Sequence, residues 1–321
     1  MRAILVDNMK RLLWERVPDP APKENEVLID IHAAALNRAD LMQRAGNYPP
    51  PAGWPEWMGL EVAGVISHAP KQSRWKIGDR VCALLGGGGY AERVAVPAEM
   101  VLPVPENLSM AQAAAIPEAF ATSYLNLCIE GGLKANDTVF IQAGASGLGM
   151  AAIQLAKTLR AKVMTTVGSP EKAEFARTLG ADIVINRKTD DLLAALERNP
   201  VDIAMDCVAG PELGRCIEKM APGGRWIVIA TLAGPRTEID MNLFFRKGLK
   251  LIGSTLRSRE PQMKAEILSG MQRLLWGAFA SGEIRPVIYK IMPITMAEEA
   301  HAILERNENI GKVVLTLNDK R

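Results

Sequence analysis

Residues 139–157 constrain this chain more than any other stretch. An apolar run of strand-forming residues passes through a loop of small residues directly into an apolar helix. Strand, tight turn and helix start, in that order, make a cradle for a dinucleotide pyrophosphate. Glycines let the backbone approach the phosphates, and the unpaired N–H groups and dipole of the helix start favour their charge. Gly144, Gly147 and Gly149 are those glycines, Leu148 lies between the last two, and Ser146 stands where a strict G-x-G-x-x-G would carry its second glycine. The expected cofactor loop is therefore Gly144, Ser146, Gly147, Leu148 and Gly149.

The next strand decides which dinucleotide. A free ribose 2′-hydroxyl usually meets an Asp or Glu about 20 residues further on, whereas a 2′-phosphate needs that acid absent and a cation present. No acidic residue lies between Gly149 and Gly168; Gly168 and Ser169 hold the acid's place, and Lys172 follows one turn into the next helix. Ser169 followed by Pro170 also reads as an ordinary helix start, and the two roles are compatible. The expected cofactor is NADPH rather than NADH.

A chain of 321 residues is long enough for about two domains, each with its own core. Its 38 basic and 36 acidic residues nearly cancel, and no basic tract singles out nucleic acid as a ligand. The N-terminus reaches Asp7 before a signal-peptide core can form, and no apolar run is long enough to span a bilayer, so a cytoplasmic location without a membrane partner is expected. The four cysteines, Cys82, Cys128, Cys207 and Cys216, have no C-x-x-C spacing and do not cluster with His32, His68 or His301. They read as buried thiols, with no metal site and no disulfide framework. The three histidines read as structural or exposed.

Texture changes twice along the chain. Up to about Ile116, short alternating segments at 27–31, 60–66, 79–83 and 90–96, punctuated by glycine and proline, suggest an all-β, barrel-like module. From about Pro117, strands expected at 138–142, 162–167, 183–186, 201–207, 225–231 and 249–254 alternate with helices, the pattern of a parallel sheet wound on both faces. A helix over 262–280 and a strand-helix-strand tail follow, and the tail is expected to return to the β-rich module.

Several ordered segments carry a family resemblance. They are Ala35-Leu-Asn-Arg-Ala-Asp-Leu-Met-Gln43, Gly59-Leu-Glu61, Trp75-Lys-Ile-Gly-Asp79, Gly86-Gly-Gly-Gly-Tyr90, Ala113-Ala-Ala-Ile-Pro-Glu-Ala119, the dinucleotide loop, Leu256-Arg-Ser-Arg259 and Asn309-Ile-Gly-Lys-Val-Val-Leu315. Over essentially the whole chain they resemble the medium-chain dehydrogenase/reductase superfamily. Within it they resemble the zinc-free, zeta-crystallin-like quinone oxidoreductases, closest to the tumour-suppressor-inducible group. The resemblance implies an α/β chain. A GroES-like β-rich substrate domain spans 1–117 and is completed by 258–321, and a Rossmann NADP-binding domain with a doubly wound parallel sheet spans 118–257.

Zinc alcohol dehydrogenases of that superfamily hold a catalytic Zn²⁺ through Cys and His. At the matching positions this chain has Asn37, Leu60 and Glu118, and it lacks the four-cysteine structural lobe. Without a metal to stabilise an alkoxide, alcohol oxidation is disfavoured. A quinone suits the site better, because its own ring spreads the incoming charge. The resemblance implies hydride transfer from NADPH to a quinone in an interdomain cleft. An enone or enoyl-thioester reductase is the enzymatic alternative, kept open by Arg257 and Arg259 as cations for a CoA or phosphopantetheine. A non-catalytic NADPH-binding protein, crystallin-like or RNA-interacting, is the alternative from a different class.

The same resemblance places the remaining candidates. Tyr48 matches a substrate-side position, or else packs on its proline-rich loop. Asn37 looks like the asparagine beside the nicotinamide, or else bonds a turn. Thr122 resembles a nicotinamide-side threonine and Lys312 a C-terminal basic position approaching the cofactor phosphates; Arg187 falls where relatives often place a tyrosine near the adenosine phosphate, and there it either adds a second cation or is a solvated loop arginine. Leu232 is expected to make a backbone or packing contact near the nicotinamide. The apolar segment 251–254 is a hazard as an exposed edge strand, and a homodimer that pairs it with its own copy is expected.

Overall fold

The strand-loop-helix segment begins a six-stranded parallel sheet. From one edge to the other, its strands are Ile183–Asn186, Lys162–Val167, Thr138–Ile141, Ile203–Asp206, Arg225–Val228 and Lys250–Gly253. Numbered along the chain, the order is 3-2-1-4-5-6. The winding reverses direction at the first strand, and helices therefore cover both faces. This Rossmann sheet belongs to one compact unit, Thr122–Leu256; the other comprises Met1–Ala121 and the chain from Arg257 onward. The computed structural model describes residues 1–317, so the end of the expected domain segment 258–321, residues 318–321, lies outside the described residues.

Local chemistry sets the helix ends of the Rossmann unit. Ser146, Ser169, Asp191 and Asp240 each accept a hydrogen bond from a first-turn amide of the helix they begin, each cap contributing about 1 kcal/mol. Pro170 occupies the first turn after Ser169, and Gly180 takes a left-handed φ of 99° just past the end of that helix. The core on one face gathers Phe140, Met164, Leu196, Ile217, Met220 and Trp226, all essentially inaccessible. Trp226 also donates its indole N–H to the buried Asp206 at 2.9 Å. Four strands are shorter than their apolar runs suggest: residues 138–142, 201–207, 225–231 and 249–254 contribute only Thr138–Ile141, Ile203–Asp206, Arg225–Val228 and Lys250–Gly253. Beyond Asp206 the chain turns, with the amides of Val208 and Ala209 both bonding its carboxylate.

In the other unit, a long central strand, Glu26–Ala35, pairs antiparallel with Glu61–His68, Arg93–Pro97 and Lys312–Thr316. The tail returns to this sheet, with Ile288–Pro293 parallel to Lys312–Thr316. Arg2–Val6 and Leu12–Arg16 form a separate hairpin. The module is not all-β, because a helix, Arg38–Ala45, follows the central strand directly. Only Asp40 is buried on it, so it lacks the apolar stripe that announces a helix. Its signals are the Asp40 carboxylate reaching back to the amide of Asn37 at 2.7 Å, and Gly46 closing it at φ 87°. All four cysteines are free thiols.

Candidate functional site

In the Rossmann unit the glycines are required by close approach. A Cβ on Gly149 would lie 2.4 Å from the carbonyl oxygen of Ala143 and 2.6 Å from Gly144 Cα. One on Gly144 would lie 2.2 Å from the hydroxyl of Thr165, which is itself bonded to Ile141 O. Ser146, in place of the second glycine, caps the helix Gly147–Thr158 by accepting from the amide of Gly149 at 2.9 Å. That leaves the amides of Gly147 and Leu148 without an acceptor among the described residues, and these are the donors an anion at this helix start would take.

At the end of the next strand, Ser169 caps the helix Pro170–Thr178 through the amide of Lys172. Gly168 is open toward Arg187, whose guanidinium lies 3.4 Å from where a Cβ would stand. Burial, then the charges of Arg187 and Lys188, hold the Lys172 ammonium below the usual lysine range. Three cations thus share one neighbourhood at a helix start with no acid at its strand end, an arrangement that favours an anion. Lys188 was not among the sequence candidates; its signal was its place beside Arg187. Thr122 accepts at its carbonyl from the Asn126 side chain at 2.7 Å. Leu232 is 53% exposed and bonds Cys207 O through its amide.

The other unit holds a buried ionic network. The pairing of Val314 with Ala35 brings Lys312 beside the residues that follow the central strand. Its ammonium donates to Leu36 O at 2.6 Å and to Asn37 Oδ1 at 2.8 Å, and pairs with Glu61 Oε1 at 2.6 Å. Glu61 also accepts from Asn37 Nδ2 at 3.0 Å and from the amide of Glu118 at 2.8 Å. Two sequence readings change here. Lys312 does not offer its ammonium to cofactor phosphates, because three protein acceptors take its three N–H groups. Asn37 has its side chain engaged by Ala35, Glu61 and Lys312 and joins this network. Beside it, Asp40 accepts from the amides of Asn37 and Gly59 and from the Tyr90 hydroxyl, and burial pushes its carboxyl up to about 6. His301 packs edge-on to the Tyr90 ring, and burial pushes it down to about 3, so it stays neutral.

These residues do not fit a zinc ion. Asn37, Leu60 and Glu118 offer neither thiolate nor imidazole, Leu60 is apolar and buried, and the Lys312 ammonium already lies against Asn37 and Glu61. Among the described residues no group of three or more His, Cys, Asp or Glu is arranged to hold a metal.

Tyr48 is half-buried on the loop after Gly46, and its hydroxyl bonds no described residue. Its phenol is pushed above the usual range by burial and by Glu118, while Arg257 pulls it down. Burial, then the charge of Glu61, pushes the Glu118 carboxyl up to about 8, against the pull of Lys312 and Lys264. The folded protein therefore holds this proton more tightly than the unfolded chain, whose carboxyl titrates near 4.5. The stability it confers is present at acid pH and is lost as pH rises from about 4.5 to about 8. Glu118→Gln is expected to remove most of that decline, read as the slope of unfolding free energy against pH. An unchanged slope would show that Glu118 titrates normally.

Comparisons with known proteins agree with this architecture. Residues 23–106 match the family model described as alcohol dehydrogenase GroES-like domain, and residues 147–272 match zinc-binding dehydrogenase. A quinone oxidoreductase of Sus scrofa is 30% identical over 95% of this chain and 93% of its own length. Lovastatin diketide synthase lovF of Aspergillus terreus is 31% identical over 96% of this chain, which spans only 13% of that synthase. The solved quinone oxidoreductase of Thermus thermophilus, a structure that includes its NADPH complex, superposes with a TM-score of 0.82 at 30% identity, covering 99% of this chain and all of its own. The chain belongs to the medium-chain dehydrogenase/reductase superfamily. It is an oxidoreductase of that family.

Proposed function

We propose that this protein is an NADPH-dependent quinone oxidoreductase that works without zinc. The observation that carries the reading is the closed network at Asn37, Glu61 and Lys312, where a lysine ammonium supplies the positive charge and takes up the Asn37 and Glu61 oxygens. Bound NADPH would supply the hydride; the protein's part is to hold cofactor and acceptor and to exclude other chemistry. The pyrophosphate is assigned to the amides of Gly147 and Leu148, and the 2′-phosphate to Ser169, Lys172, Arg187 and Lys188. Tyr48 is assigned to the acceptor, its hydroxyl open to bond a quinone oxygen. The cofactor of the Thermus relative supports this choice.

The enoyl-thioester alternative loses one of its two supports. Arg257 donates to Gly86 O, Tyr48 O and Gln43 Oε1, so its fork is committed within the protein. A spectrophotometric panel of NADPH and NADH oxidation against ortho-quinones, para-quinones, enones and enoyl-CoAs tests the reading. Quinones should dominate; preference for enoyl-CoAs would transfer the assignment, and no turnover at all would favour a non-catalytic role. Elemental analysis should find no stoichiometric zinc, and one tightly held Zn²⁺ per chain would contradict the zinc-free assignment.

The same proposal includes a homodimer. Lys250–Gly253 is an edge strand, Leu251 on it is 43% exposed, and Met241 and Phe245 of the preceding helix are 62% and 67% exposed. Pairing of this edge with its own copy satisfies the edge amides and covers apolar surface. Sedimentation should give a dimer at micromolar concentration, and Leu251→Lys should shift it at least tenfold toward monomer. A monomeric wild type would refute the dimer. Among the described residues no helix is long and apolar enough to cross a membrane.

A further inference from the structure

The first arginine of the Leu256-Arg-Ser-Arg259 segment, which the sequence offers as a cation for a CoA or phosphopantetheine, has a different task in the structure. Arg257 is 4% exposed. Its guanidinium spans three separate stretches: Nε donates to Gly86 O at 2.9 Å, Nη1 to Tyr48 O at 2.9 Å, and Nη2 to Gln43 Oε1 at 2.6 Å. The same group lies 4.8 Å from the centre of the Tyr48 ring, over its face. Lys264, also buried, fixes the arginine in turn by donating to its carbonyl at 2.7 Å. The far end of the Tyr48 loop is pinned to the same glycine: a Cβ on Gly86 would lie 2.6 Å from the Trp54 indole.

We propose that Arg257 is the positioning residue for Tyr48, holding both the backbone and the ring of the tyrosine in the pose that receives the acceptor. A planar fork with several fixed N–H directions bonds carbonyls on two loops and a helix side chain while its face stacks on an aromatic ring; a lysine ammonium cannot do both. With one face of the Tyr48 ring covered by the guanidinium, only the other face and the hydroxyl remain for a ligand. The inference rests on the reading of Tyr48 as the acceptor-side residue, but the positioning itself does not.

The chain has four tyrosines, so protein labelled with ring-¹³C tyrosine gives four resolvable ring environments, with Tyr48 assigned by its loss in Tyr48→Phe. In Arg257→Lys the Tyr48 signal is expected to move or broaden while those of Tyr90, Tyr124 and Tyr289 hold, and an unmoved Tyr48 signal overturns the proposal. Kinetically, Arg257→Lys should raise the quinone KM about tenfold with kcat within twofold, leaving the NADPH Kd unchanged. In a Tyr48→Ala background the same substitution should change KM less than twofold, because its effect passes through the tyrosine. An undiminished effect there overturns the proposal. Should Arg257→Lys fail to fold, Gln43→Leu removes the Nη2 partner, together with the Gln43 bond to Glu56 O, and should move the same Tyr48 signal; no movement there counts equally against it. If wild type reduces no quinone while the Tyr48 signal still moves, the positioning stands and the acceptor reading falls.

Discussion

Lys312→Met is expected to lower the unfolding free energy by about 3–5 kcal/mol, because it strands the carboxylate of Glu61 in a site where neither side chain meets solvent. The methionine fills similar volume, so the loss reports charge rather than packing. Glu61 has two compensations left, the Asn37 amide and the Glu118 amide, and neither carries charge. Adding Glu61→Gln should recover at least 2 kcal/mol, a coupling that urea denaturation of the four proteins in the cycle measures. The double variant should bind NADPH within about threefold of wild type, since Lys312 spends its donors inside its own unit. A loss below about 1 kcal/mol in Lys312→Met would mean that the network is dispensable.

Lys172→Ala should weaken NADPH binding roughly ten- to hundredfold, the value of one charge-assisted hydrogen bond of about 1.5–3 kcal/mol, and leave NADH almost unchanged. Arg187 and Lys188 remain, which keeps the loss finite. Gly168→Asp should go further. Its Cβ would stand 3.4 Å from the Arg187 guanidinium, so the new carboxylate would both repel the 2′-phosphate and pair the arginine that served it. It would also offer the ribose hydroxyls an acceptor, and NADH should gain as NADPH loses. Isothermal titration of both cofactors against the three proteins checks this. Equal losses for NADPH and NADH in Lys172→Ala would make the lysine a support of the fold and remove the basis for choosing NADPH.

What the sequence could reveal was set by distance along the chain. The dinucleotide loop is legible because Gly144, Ser146 and Gly149 act within six residues, and strand, turn and helix follow without interruption. The Ser169 cap on the amide of Lys172 is legible for the same reason. The closed network is not, because Lys312 meets Leu36 across 276 positions and no local pattern couples them. Only the resemblance singled out Lys312, and it suggested a different partner. Arg257 and Tyr48 are 209 positions apart, so the arginine read as a cation for a phosphate when its fork is filled by carbonyls. The helix Arg38–Ala45 escaped notice because it buries an aspartate instead of an apolar stripe.

Zinc-free quinone reduction is tested most directly with chelator-washed wild-type protein, mixed anaerobically with NADPH and either an ortho- or a para-quinone. Quinone-dependent loss of NADPH absorbance, one NADPH consumed per quinone reduced and no response to added zinc, is the expected result. NADPH that survives every quinone, or turnover that returns only with zinc, would contradict it.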